Sequence, residues 1–313
     1  MISFWKTVEG KLQRLEDAEE DCWINMVNPN DVEIRKVADS AGVSPMVLRA
    51  ALDEEEVSYI DVTDDGHAFT TIDIPIVDSG SVMYSTIPLG ILLTKSHIIT
   101  VCLKESTIIS DFANNPPKNL DTSKKKKFML MLMLRAANRY LQYLRQINKI
   151  STSIEEKLYV SQRNKEVVEL LSMQKSLVFF STSLKANQLT IEKIMKGKTL
   201  TLTEEEMNIL EDVLIEVRQA IEMTTVYTDI SAGTMDALAS MISNNLNVIM
   251  KALTVITLIL TIPTMVFSYY GMNLEPLNLL PFNDVAWFPL FLAIMLMVLL
   301  GFFFKWFHFT KKR

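Results

Sequence analysis

Five hydroxyl residues, Thr254, Thr257, Thr261, Thr264 and Ser268, recur at spacings of 3, 4, 3 and 4. That spacing puts all five on one face of a helix. Traced backwards the face reaches Asn247, and traced forwards it reaches Gly271, which Met272 and Asn273 follow. Hydroxyl and amide oxygens accept hydrogen bonds without carrying charge. A row of them suits a cation that travels with its water shell, as Mg2+ does, because that ion gives up its waters reluctantly. A ring of Asn273 amides would accept from those waters without stripping them. A ring of carboxylates would hold the ion more tightly and slow its release. Gly271 offers a turn or a close backbone approach at the mouth, and Met272 packs behind the amide. A plain helix C-cap at Asn273 is compatible with this role.

Two acids follow, Glu275 and Asp284. Repeated around an axis they would concentrate cations at an entrance; as solvated loop acids they would do nothing further. At the other end of the stripe, Met250 and Leu253 lie close to the same face. Rings of such side chains would close a path by dewetting, with Asn247 as a polar ring below. Core packing between neighbouring helices is the rival role for both.

The element that must position these groups is a membrane span. Residues 252–270 form an uncharged run of 19 and residues 285–304 a second of 20. A hydrocarbon core of roughly 30 Å needs about 20 helical residues, so both runs are long enough to cross. The connection between them holds no Lys or Arg, whereas Lys251 precedes the first run and Lys305, Lys311, Lys312 and Arg313 follow the second. The excess of basic residues on the outer flanks places both in the cytoplasm and the connection outside. Tyr269, Tyr270 and Trp287 fall near one boundary and Trp306 near the other, as an aromatic belt does. The expectation is a multi-pass protein of the cell membrane with cytoplasmic N- and C-termini.

The second run carries no polar stripe. Threonine in a membrane helix can bond its own i−4 carbonyl or glue helices together, but five in register favour a shared wet seam. One helix cannot enclose water, so several copies must surround an axis, first runs inside and second runs outside. No internal repeat supports a monomeric inverted-repeat transporter. Pro263 removes one backbone hydrogen bond, which predicts a bend near Thr261–Thr264.

Gly271-Met272-Asn273 at the end of the penultimate span resembles the signature of the CorA family of magnesium transporters. A second stretch is similar to that family too: Trp23-Ile24-Asn25-Met26-Val27-Asn28-Pro29, then Ala50-Ala51-Leu52-Asp53. The sequence departs from the family at Asn25, where an aspartate is commoner, and in the loop, where the acid Glu275 arrives early. The resemblance implies a homopentameric funnel with a central pore lined by the first span and Asn273 selecting the hydrated ion. It also implies Mg2+ in two roles, as transported ion and as cytosolic regulator that holds the pore shut. Acids brought together in an oligomer would bind the regulator, and Asp212 and Asp53 are the candidates. Co2+ and Ni2+ are further candidate substrates. The alternatives are a Co2+, Ni2+ or Zn2+ transporter, a ZntB-like Zn2+ efflux protein, or a membrane-anchored sensor that transports nothing.

The body reads as an α+β cytoplasmic domain (residues 1–120) followed by long helices: a helical hairpin over 121–202 and a stalk helix over 203–270. An external loop (271–284), the second span (285–304) and a basic tail (305–313) complete the two-helix transmembrane hairpin. Strand candidates are 22–27, 59–62, 68–76, 82–93 and 98–103, with Asn28-Pro29 and Ser44-Pro45 as helix starts. Thr203 and Glu206 have the spacing of a capping box. No proline interrupts 204–262, so one rod of about 100 Å would reach Tyr270 and carry events in the body to the gate. Lys124–Lys127 reads as the solvated start of a helix, with a membrane-surface patch as the alternative.

Composition excludes other classes. A net charge of −6 and a pI near 5.3 argue against nucleic acid as a partner. Two cysteines, Cys22 and Cys102, cannot build a disulfide framework or a Cys-rich zinc site. His67, His97 and His308 lack metal-ligand spacing. No nucleotide motif and no nucleophile–base constellation is present, so neither an ATP-driven pump nor an enzyme is expected.

Overall fold

The computed structural model describes residues 1–313 except 55, 64, 65, 79, 81, 161–163, 198, 273–286 and 311–313; of residues 157–160, 164 and 307–310 it describes the backbone alone. Two compact units result, residues 1–234 and 235–313.

The first unit is built on a seven-stranded mixed sheet in the order β2-β1-β3-β7-β6-β5-β4. The strands are β1 (Ile2–Val8), β2 (Lys11–Leu15), β3 (Trp23–Val27), β4 (Tyr59–Val62), β5 (Ala68–Val77), β6 (Tyr84–Leu93) and β7 (Ile98–Cys102). Only β3 and β7 pair in parallel; the other neighbours are antiparallel. The hairpin β1–β2 was not among the strand candidates. Its two-residue turn is Glu9-Gly10, both with positive φ, so it has the backbone that Asn-Gly usually advertises.

Alternation along β3 splits the core between two faces. Ile24 and Met26 pack with Ile34, Val37 and Leu48 of α1 (Asp31–Ala41) and α2 (Pro45–Ala50). Trp23 points the other way, against Phe112 of α3 (Thr107–Asn114) and Phe128 of α4 (Lys125–Val160). Its indole donates to Thr100 Oγ1 at 2.8 Å, which donates to Asn25 Oδ1 at 3.0 Å. The Trp-Ile-Asn stretch is therefore a core anchor whose buried polar atoms satisfy one another. Helix α1 starts later than Asn28-Pro29 suggested. Its cap is Asn30, which with Glu33 forms a reciprocal capping box, while Asn28 takes a positive φ.

Gly90 in β6 lets α2 approach the sheet: a Cβ there would sit 2.4 Å from that of Ala51. Helix α5 (Asn164–Met195) packs along β4, β5 and β6 and completes that edge with side chains. Strand β4 pairs with β5 only as far as Tyr59 and Thr71, so the main chain of Asp73 has no strand on its β4 side. Asn187 of α5 takes the place of that strand, accepting from the Asp73 N–H at 2.9 Å and donating to its carbonyl at 2.8 Å. Tyr140 of α4 donates to the same carbonyl at 3.1 Å. Pro88 lies opposite on β6, where its missing N–H goes unneeded.

The Asp73 carboxyl is carried into this seam. Burial pushes it up to about 6, against the lowering effect of a hydrogen bond from Ser183. The folded state thus binds the proton more tightly than the unfolded chain, whose carboxyl titrates near 3.8. Its contribution is most favourable below about pH 4 and is lost as pH rises through about 6. That rise corresponds to a cost of about 2–3 kcal/mol at neutral pH. Asp73→Asn should therefore raise the unfolding temperature of the purified full chain at pH 7.5 and leave it unchanged at pH 4. Thermal melts across that range check this; parallel curves for the two proteins would contradict it.

Candidate functional site: the hydroxyl face of the first span

Helix α6 (Glu204–Tyr270) carries the candidate site and is capped as its sequence suggests. Thr203 Oγ1 accepts from the Glu206 N–H at 3.3 Å, and Glu206 Oε2 accepts from the Thr203 N–H at 2.9 Å. The lysine run at the start of α4 is bound rather than solvated. Lys127 pairs with Glu205 at 2.5 Å, Lys126 donates to the Thr201 carbonyl at 2.5 Å, and Lys125 pairs with Asp21. Lysines oppose the dipole at a helix N-terminus, and here Lys127 meets Glu205, one of the acids that favour the N-terminus of α6. The bond from Lys127 holds the Glu205 carboxyl below its usual range.

The candidate regulatory acids lie in the first unit. Asp212 is exposed on α6, and Asp53 follows α2, with its N–H on the Ala50 carbonyl. Glu205 and Glu206 are already engaged by Lys127 and by the cap. Among the described residues no group of three or more His, Cys, Asp or Glu could hold a metal ion.

In the second unit α6 continues through Pro263 to Tyr270, and the Ile259 carbonyl loses the donor that Pro263 lacks. Each threonine hydroxyl donates to the carbonyl four residues back. Thr254 bonds Met250 at 2.8 Å, Thr257 bonds Leu253 at 2.8 Å, Thr261 bonds Thr257 at 2.6 Å and Thr264 bonds Leu260 at 3.3 Å. This back-bonding fixes the direction of the proton, so each hydroxyl turns its oxygen lone pairs outward. The stripe becomes a row of acceptors.

Burial on α6 follows a second stripe. Val255, Ile259, Ile262, Val266 and Tyr270 are covered to differing degrees, whereas Thr254, Thr257, Thr261, Thr264 and Ser268 are all exposed. At 3.6 residues per turn the two stripes lie roughly 180° apart. On α7 (Phe288–Thr310) the covered positions include Ala293, Met297 and Gly301, small residues among them allowing close approach. The ring of Tyr270 meets that of Phe288 edge-on at 6.3 Å. The hydroxyl face is thus the side of the first span that the second span leaves open. The covered stripe was legible as four aliphatic residues at 4, 3 and 4 with Tyr270 four further on, a signal that the search for polar groups passed over.

Asn247, Met250 and Leu253 are exposed on α6, in phase with the hydroxyls. Gly271 ends the helix: its N–H bonds the Phe267 carbonyl at 2.9 Å, and an added Cβ would come within 3.1 Å of that oxygen. Met272 is exposed. Asn273, Glu275 and Asp284 lie outside the described residues.

Both cysteines are fully buried in the first unit. Burial pushes the Cys22 thiol up and that of Cys102 up to about 11, so neither offers a reactive thiolate.

A mixed sheet clad by helices, together with two helices long and apolar enough to cross a membrane, defines a membrane protein with a large polar N-terminal body. The chain belongs to the CorA family: the family model described as "CorA-like Mg2+ transporter protein" matches residues 19–308. It is similar to the cobalt/magnesium transport protein CorA of Methanocaldococcus jannaschii, 27% identical over 290 residues, covering 90% of this chain and 88% of that one. It is also similar to the protein of that name from Thermotoga maritima, 22% identical over 287 residues, covering 89% and 80%. The solved structure of the complete CorA magnesium transporter from M. jannaschii shares the fold, with a TM-score of 0.80 at 22% identity over 98% of this chain and 96% of that one.

Proposed function

We propose that the chain is a channel-like transporter that admits Mg2+ down its electrochemical gradient. The observation that carries this reading is the row of hydroxyl acceptors on the face of α6 that α7 leaves open. Acceptors pointing outward from an apolar helix need donors, and hydrocarbon supplies none. The waters around a Mg2+ ion are such donors. Five copies around one axis, the number the family resemblance implies, would turn each hydroxyl into a ring, with the α7 helices outside. Both termini are then cytoplasmic, as the basic flanks require.

Along such an axis Glu275 and Asp284 gather cations at the mouth, and the Asn273 ring selects the hydrated ion. The threonines then pass the ion on by its water shell, and Met250 and Leu253 close the path above Asn247. Inward movement needs no fuel, since a divalent ion gains roughly 4.6 kcal/mol per 100 mV, twice the single-charge value. The names of the curated relatives favour Co2+ as a second substrate. Cytosolic Mg2+ bound at Asp212 of one copy and Asp53 of another holds the pore shut.

Asn273→Ala should abolish Mg2+ uptake into proteoliposomes while the purified protein keeps the mass of the unmodified assembly. Uptake at the unmodified rate would remove the selectivity role. Asp212→Asn and Asp53→Asn should leave the flux running at internal Mg2+ concentrations that close the unmodified protein. Closure at the same concentration in both variants would show that other groups sense the ion.

A further inference from the structure

A cleft of about 190 Å³ opens between the β2-β1-β3 end of the sheet and α3. Its floor is the sheet face that carries Ser3, Trp5, Arg14 and Asn25. Ser3 stands opposite Asn25 across β1 and β3, and Trp5 opposite Arg14 across β1 and β2, so all four share one face. Ile109 and Ala113 of α3 form the facing wall.

A chain of hydrogen bonds fixes the polarity of this floor. Trp23 spends its one side-chain donor on Thr100 Oγ1, so the Thr100 hydroxyl gives its own proton onward, and Asn25 Oδ1 takes it at 3.0 Å. An amide held by its oxygen turns its NH2 the other way. That NH2 finds no acceptor among the described residues, although Asn25 is half-buried. Ser3 Oγ accepts from the Trp5 indole at 3.2 Å, which leaves the serine proton to be given as well. Arg14 is exposed at the rim, and among the described residues no acid pairs with it. Three donors therefore face the cleft from the sheet side. The one acid on the lining, Glu105, is exposed just before Ser106, the cap of α3. Its charge turns an anionic head away from that end and toward Arg14.

We propose that this cleft binds a small organic carboxylate. The carboxylate accepts from the Asn25 amide, the Ser3 hydroxyl and the Arg14 guanidinium, whose fork matches its two oxygens. An apolar body lies between the Trp5 ring and Ile109. Drug-sized ligands fill about 300–1,000 Å³, so the occupant is smaller than these. An aspartate at position 25, the commoner residue in the family, would still accept from Thr100 but would set a negative charge where the amide donor stands. The site is thus a consequence of this chain's departure at that position, and it needs neither the pore nor the oligomer.

The probe is para-fluorobenzoate, titrated into the full-length protein in detergent and followed by fluorine NMR, with empty micelles as the baseline. Saturable binding is expected. Asn25→Asp and Arg14→Gln should each weaken it about tenfold or more, the worth of a hydrogen bond to a charged group, while melting as cooperatively as the unmodified protein. Arg14 is exposed, so its variant keeps the test open even where position 25 tolerates no change. Equimolar inorganic phosphate should leave the probe bound. Binding no greater than to empty micelles, or unmodified affinity in the Arg14 variant, overturns the site. Displacement by phosphate overturns its assignment to an organic carboxylate.

Discussion

A polar atom inside a bilayer must find a partner, and the hydroxyl oxygens of α6 are the atoms for which that requirement is hardest to meet. Their protons are spent on the carbonyls one turn back, which satisfies the helix and leaves the lone pairs pointing away from it. Helix α7 covers the opposite side. Lipid cannot serve as donor to those lone pairs, whereas water in the proposed pore would. The proposed oligomer, pore and hydrated cargo would all meet that single constraint. The same back-bonding taken as plain helix stabilisation would leave the acceptors unused, and it would give no reason for the four threonines to share a register.

Much of this was legible because it is periodic. The hydroxyl stripe, the apolar runs and five of the strands announce themselves by spacings of 3.6 or 2. Thr203 with Glu206 marks the start of α6 through a local reciprocal bond. Features that depend on partners far along the chain were not legible. Asn187 standing in for a missing strand beside Asp73 joins residues 114 apart, and nothing in the α5 sequence separates that asparagine from a surface one. The lysines at 125–127 looked solvated because their partners, Asp21, Thr201 and Glu205, lie in other elements. The β1–β2 hairpin was hidden by Glu9 in a turn that asparagine usually fills, and by the charged residues of an edge strand.

The stretches that resemble the family divide by physical role. Trp23-Ile24-Asn25 serves the core: the indole packs between two phenylalanines and feeds a short chain of hydrogen bonds to the asparagine amide. An asparagine at that position accepts from Thr100 as a carboxylate would, without the cost of burying charge. Gly271 serves the end of the span, where a side chain would press on the Phe267 carbonyl.

The water-facing orientation of that stripe is tested most directly by thiol chemistry, since the native cysteines are buried. Single cysteines at Thr257, Thr261, Thr264 and Ser268, and at Val255, Ile259, Ile262 and Val266, would be treated in membranes with a small impermeant thiol reagent. The account predicts fast modification of the first set, slowed by Mg2+, and little of the second. Equal modification of both sets, or reaction confined to the second, would contradict it.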